Sequence, residues 1–152
     1  MVGLALAYVA AGRLGLSLDA ISGFATLVWA PTGISLAALV YYGRGLWPAV
    51  AVGAFAVNLW NGAPPGVAAG IATGNTLEAF VGALLVEHTA RPKLPLRRLG
   101  DVISFLVLAA GVATALSATV GVVSLTLGNL VAEGELARTW GAWWLGDAVG
   151  AM

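Results

Sequence analysis

The sequence predicts an all-α integral-membrane fold, a polytopic helical bundle of about six spans with kinked or broken helices. Three observations carry this reading. Of the 152 residues, 60% are hydrophobic and 9% charged, with mean hydropathy +0.94. A soluble domain carries about 25% charged residues to cover its surface. Apolar runs recur that approach the roughly 17–25 residues needed to cross a bilayer. Lys and Arg gather in a few turns between these runs, the pattern that orients membrane helices.

The same composition excludes several classes of function. Net charge is zero, and no basic stripe marks a nucleic-acid surface. Without Cys there is no disulfide framework, thiolate metal site or thiol nucleophile. His88 is the one histidine, so no His cluster can hold a metal, and nothing in the chain specifies a cofactor. The 21 glycines suit helices that pack closely in lipid.

The first span is placed at 2–18. Its "MVGLALAYVAAGRLG" differs from a secretory leader, whose positive charge precedes the apolar stretch; here Arg13 follows it. The second span is 25–43 and contains "VWAPTGIS". Pro31 lacks an N–H and disturbs the preceding turn, and Gly33 adds backbone freedom. This stretch reads as a kinked span or as two half-helices meeting inside the membrane, with free N–H groups suited to an anion. The alternative is an ordinary helix start. Further spans are placed at 46–61, which is short, at 66–87 and at 99–120. A sixth begins near 138 and runs into the C-terminus. Segment 121–131 either extends the fifth helix or lies along the surface.

Arg44 lies in the turn after the second span, and Arg91, Lys93, Arg97 and Arg98 lie in the turn after the fourth. Two spans separate these turns, so both face one side, assigned to the cytoplasm. The N-terminus is then cytoplasmic, and "WNGAPPG" and "VAEGELAR" face out. Trp47, Trp60 and Trp140 fall near the expected interfaces. Arg13 and Arg138 are expected to snorkel, and Asp101 to cap the fifth helix.

Gly66, Gly70, Gly74, Glu78 and Gly82 recur every four residues, forming one ridge on a helix. Small residues at this spacing admit a neighbouring helix, so Glu78 is expected to face protein, with Asn75 on nearly the same face. A carboxyl at mid-membrane costs about 2.5–3.5 kcal/mol on insertion scales. A proton, a hydrogen-bond partner or a wet cavity must offset that. Asp147, flanked by Gly146 and Gly150, reaches similar depth from the same side. Glu78, Asp147 and Asn75 are therefore expected to line one cavity, with Trp29 and Pro31 at its outer mouth. Gly33, Asn58 and Trp144 complete the candidate ligand-binding or switch set. The plainer reading is a structural hydrogen bond between helices.

The segments "VWAPTGISLAALVYYGRGLWPAVAVGAFAVNL" at 28–59, "GIATGNTLEAFVGALL" at 70–85 and "WWLGDAVG" at 143–150 resemble the MASE1 family, the membrane-associated sensor domains of bacterial signalling proteins. The resemblance runs through nearly all of 1–152, although the family often has Pro where this chain has Ala30. It implies a sensory module of about eight helices, with the present chain stopping near the sixth, and a histidine kinase or diguanylate cyclase downstream. No output domain lies within 1–152. The implied setting is the bacterial inner membrane, and the implied partners are the bilayer, a small ligand or partner membrane protein, and a second copy joined through the output domain. The rival class is a small transporter or substrate-capture subunit, which also needs broken helices and mid-membrane polar groups. A membrane enzyme fits least, because the cytoplasmic loops carry neither paired carboxylates nor a His cluster.

Overall fold

The computed structural model describes residues 1–18, 21–89 and 99–152. The basic turn with Arg91, Lys93, Arg97 and Arg98 lies outside the described residues. Six helices account for most of the rest: α1 Val2–Leu18, α2 Ala30–Tyr42, α3 Trp47–Trp60, α4 Pro65–Thr89, α5 Leu99–Leu127 and α6 Leu136–Ala151. Proline and glycine punctuate them. Pro31 and a proline beside Trp47 sit in the first turns of α2 and α3, and Pro65 opens α4, where a missing N–H costs nothing. Gly43 (φ 100°) ends α2, and Gly62 (φ 91°) follows α3; both lie in the left-handed region that favours glycine.

The expected spans match these helices closely, with two differences. Residues 121–127 continue the fifth helix, which has 29 residues and rises about 43 Å. It winds as a π-helix through Phe105–Ala113, so it is wider there than an α-helix. The second difference is at α2. The helix begins at Ala30, and the preceding backbone is not helical: Ile21 and Ala25 pair with each other, and a bend follows. Pro31 therefore marks a helix start. Neither a kinked continuous span nor two half-helices form, because none of residues 21–29 is helical.

α2, α4, α5 and α6 form a ring in which each packs on the next, with α4 and α6 facing across it. α1 and α3 pack together outside, with α3 also against α4 and α1 against α2. One apolar cluster gathers around Tyr8, Leu39, Val50 and Val57, and another around Ile71, Leu125 and Trp143. Arg44 binds Glu87 at 3.2 Å, which ties the α2–α3 turn to the end of α4. Arg13 lies over the Trp60 ring at 4.2 Å, near the far end of α3. Arg138 pairs with Glu135 at 3.4 Å on the exposed surface. Asp101 is in the first turn of α5.

The close approaches are at glycine. A Cβ on Gly70 would strike Ser124, and one on Gly74 would meet Val120 and the Ser117 carbonyl at 3.1–3.2 Å. The α4 ridge thus seats α5 along its middle, whereas Gly66 faces open space and Gly82 faces Leu36 of α2. A second seam lies on α6. A Cβ on Gly146 would strike the Thr26 carbonyl oxygen, and one on Gly150 that of Trp29. The Trp29 N–H donates to the Gly146 carbonyl at 2.9 Å. Irregular backbone at membrane depth must be satisfied by protein, and bare glycine on α6 lets segment 24–29 come that close.

Gly146→Ala must displace backbone rather than a side chain. It is expected to cost about 1–3 kcal/mol, the usual penalty for overpacking. Gly66→Ala, into open space on a helix, should be neutral or stabilising by about 1 kcal/mol. Thermal unfolding of both variants in detergent checks this; equal melting temperatures would mean that the α6 seam is loose.

Candidate functional site

Every helix of the ring sends oxygen to its centre. α4 supplies Asn75 and Glu78, one turn apart. α6 supplies Asp147, α2 supplies Thr32 and Ser35, and α5 supplies Ser117. All are buried, with Glu78 only 3% and Asp147 0% exposed. Tyr8 reaches in from α1 and is 1% exposed.

The hydrogen bonds form a connected layer. The Asn75 amide donates to the Tyr8 hydroxyl at 2.8 Å and accepts from Ser117 Oγ at 2.8 Å. Thr32 Oγ1 donates to Asp147 Oδ1 at 3.2 Å. The Glu78 and Asp147 carboxyls lie close enough across the ring for their charges to interact. Thr32 lies in the first turn of α2, so Asp147 also sits at that helix's N-terminus. The partial positive charge there, about half a unit, favours an anion. Among the described residues, three buried side-chain atoms have no partner: Ser35 Oγ, Glu78 Oε1 and Asp147 Oδ2.

The described basic side chains are all engaged elsewhere. Arg13 lies on Trp60, Arg44 pairs with Glu87 and Arg138 with Glu135, while His88 bonds the Leu84 carbonyl at 2.8 Å. Charges removed from water cost several kcal/mol each even after relaxation. Such a pair therefore needs a proton, a cation or a polar ligand between its members.

A cavity of about 10 Å³ touches the layer, between segment 24–29 and Asn58, Ile71, Asn75, Trp143 and Asp147. This is the lower limit for one water molecule. Trp29 forms part of its wall and meets Tyr8 edge-on, with ring centroids 6.4 Å apart. Glu78 stands beside Asp147 but not in this wall, and Pro31 is buried in the first turn of α2 away from it. A much larger hollow of about 650 Å³ lies between α3 and α4, lined by residues such as Trp47, Phe55, Leu77 and Phe80. The Thr73 and Thr76 hydroxyls there bond to their own helix at 2.8 and 2.6 Å. It is an apolar, open groove that neither carboxyl lines.

Of the eight residues singled out in the sequence, Glu78, Asn75 and Asp147 come together, and Trp29 and Asn58 flank them. The Asn58 amide, however, donates to the Ala54 carbonyl at 2.8 Å, a bond within its own helix. Gly33 serves packing, because a Cβ there would strike the Gly150 carbonyl oxygen. Trp144 is turned out of the site. It is 37% exposed, stacks on Trp140 at 5.9 Å and donates to the Gly111 carbonyl in the π-helical stretch at 3.0 Å. Its neighbour Trp143, about 100° around the helix, is the one that lines the cavity. Tyr8, Thr32, Ser35, Ser117 and Trp143 were not singled out. Tyr8 carried a signal, a hydroxyl within the apolar run that precedes Arg13 in the first helix.

The chain is an all-helical bundle built for lipid, with a polar layer where its helices converge. A family model, MASE1, matches residues 1–152, and the chain belongs to the MASE1 family. The family comprises membrane-associated sensor domains of signalling proteins and is sensory rather than catalytic. No curated protein and no solved structure matches the chain.

Asn75 satisfies two buried hydroxyls at once. Asn75→Ala should therefore cost about 1–3 kcal/mol for the groups left unpaired, and more than Asn58→Ala, which breaks one bond within a helix. Chemical denaturation in detergent checks the order, and the reverse order would mean that the Tyr8–Asn75–Ser117 chain contributes little.

Proposed function

We propose that residues 1–152 form a single sensory input domain whose switch is the Glu78–Asp147 pair. One observation carries this: two carboxyls from facing helices are buried in one polar layer, with an unpartnered oxygen on each. Intramembrane ionisable groups mark functional sites by default. A proton, small molecule or partner membrane protein that engages the pair changes how strongly α6 is held to α4 and α2. An occupant that favours one packing shifts the population toward it. In the full-length protein the shift passes to a cytoplasmic output domain, a histidine kinase or diguanylate cyclase, which also joins two copies. The setting is the bacterial inner membrane with a cytoplasmic N-terminus.

The size of the site ranks its possible occupants. Drug-sized ligands fill about 300–1,000 Å³, whereas the cavity beside Asp147 has about 10 Å³. A proton or small ion enters this packing as it stands. A larger molecule, or a partner's side chain, enters only if segment 24–29 lifts. A transport role is the second reading, favoured by the irregular backbone at 24–29 and by the α2 N-terminus aimed at the site, both features of carrier binding sites.

In a full-length relative with its output domain, Glu78→Gln and Asp147→Asn should alter output activity severalfold while melting temperature changes little, since the amides keep shape and lose the proton site. Wild-type output in both variants would make the pair structural. For orientation, a cysteine at position 93 should label only from the cytoplasm; labelling from the periplasm in intact cells would invert the topology.

A further inference from the structure

The centre of the ring holds more oxygen than its hydrogen bonds use. Glu78 Oε1, Asp147 Oδ2 and Ser35 Oγ are all buried and unpartnered. Ser35 follows Thr32 by one turn of α2, on the same face, and Thr32 donates to Asp147. A buried polar atom without a partner costs about 1–3 kcal/mol. Two of the three belong to the carboxyl pair itself, and the third lies one turn along α2 from the Thr32 that donates to Asp147, an arrangement suited to a guest that takes oxygen ligands from several directions.

We propose that this centre binds one dehydrated monovalent cation of sodium size, in exchange for the proton shared by Glu78 and Asp147. The inference rests on reading that pair as the switch and names what occupies it. The donors facing the pair are carboxyl and hydroxyl oxygens, hard ligands that suit hard cations. The adjoining space, walled by Asp147 but not by Glu78 or Ser35, is about 10 Å³, room for a bare ion or a single water.

Charge selects a monovalent ion. With a proton, the pair carries one negative charge. With sodium, both carboxyls ionise, one proton leaves for each ion bound, and the net charge is again one negative. The N-terminus of α2 offsets about half of that charge in either state. Calcium takes six to eight oxygens and magnesium keeps several waters, and the site offers neither. Tyr8, from α1, is the other titratable group facing the pair. α2 presents Thr32 and Ser35, α3 Asn58 and α5 Ser117, none of which titrates. No described cation competes, since each is engaged elsewhere.

The test is thermal unfolding of the purified chain in detergent, titrated with sodium, potassium, calcium or choline chloride at constant ionic strength. A ligand that binds only the folded state raises its melting temperature. Because one proton leaves for each ion bound, sodium should do so more strongly at about pH 8 than at about pH 5. Potassium, calcium and choline should not. Ser35→Ala should keep the melting temperature in choline and raise the half-saturating sodium concentration about tenfold, as expected for loss of one ligand to a charge. Glu78→Gln should abolish the response, and if that variant does not fold, Ser35→Ala carries the test alone. An equal response to all salts, or a response to calcium, overturns the proposal. A pH-dependent melting temperature that vanishes in Glu78→Gln, without any sodium effect, overturns the ion and keeps the switch. Identical pH and sodium behaviour of wild type and Glu78→Gln overturns both.

Discussion

Two carboxyl groups placed against each other inside a lipid-facing bundle, with no described basic residue among them, form the constraint on which the rest of the structure depends. Water cannot solvate them there, and leaving them bare would cost several kcal/mol per charge. The fold answers with hydroxyls and amides from its other helices. Thr32 donates to Asp147, and Asn75 links Tyr8 to Ser117. Each partner comes from a different helix, so the polar layer specifies how the helices are arranged as well as relieving charge. In lipid, where apolar surfaces gain nothing from burial against each other, that specification has few substitutes.

The layer can form only because the helices come close, and the glycines decide where they do. On α4, Gly70 and Gly74 admit α5 and bring Ser117 to Asn75. On α6, Gly146 and Gly150 admit the backbone of 26–29, which sets the start of α2 beside Asp147. The two acids therefore sit next to the two glycine seams. A change in the charge state of the pair acts where the packing has least slack, and close-packed helices respond by shifting between discrete arrangements rather than by deforming. This is the physical link between an occupied site and a signal that leaves the domain.

Much of this was legible in the sequence, for identifiable reasons. Helix extents followed from apolar run length and from proline and glycine punctuation, so α1, α3, α4 and α6 lie within one or two residues of expectation. The start of α2 was less legible. "VWAPTGIS" is apolar on both sides of its proline, and only tertiary contact with α6 holds 25–29 out of a helix. The four-residue glycine spacing placed Glu78 inward, and matched depth brought Asp147 to it. The wider polar layer was illegible, because Ser and Thr also bond to their own helix backbone, as Thr73, Thr76 and Thr119 do here. Nothing local separates those from Thr32 or Ser117. Sequence also does not tell which of Trp143 and Trp144 faces the site. The rotation of α6 is set by its glycine seam, and two adjacent indoles look alike until that seam is placed.

The measurement that bears most directly on this account is a double-mutant cycle for unfolding in detergent, with Glu78→Gln, Asp147→Asn and the pair together. Residues that share one proton or ion act as a unit, and contacting pairs show coupling of about 0.5–3 kcal/mol. A coupling of at least about 1 kcal/mol is the predicted result. Additivity within about 0.3–0.5 kcal/mol, the behaviour of independent sites, would show that the two carboxyls are buried separately and would contradict the shared centre.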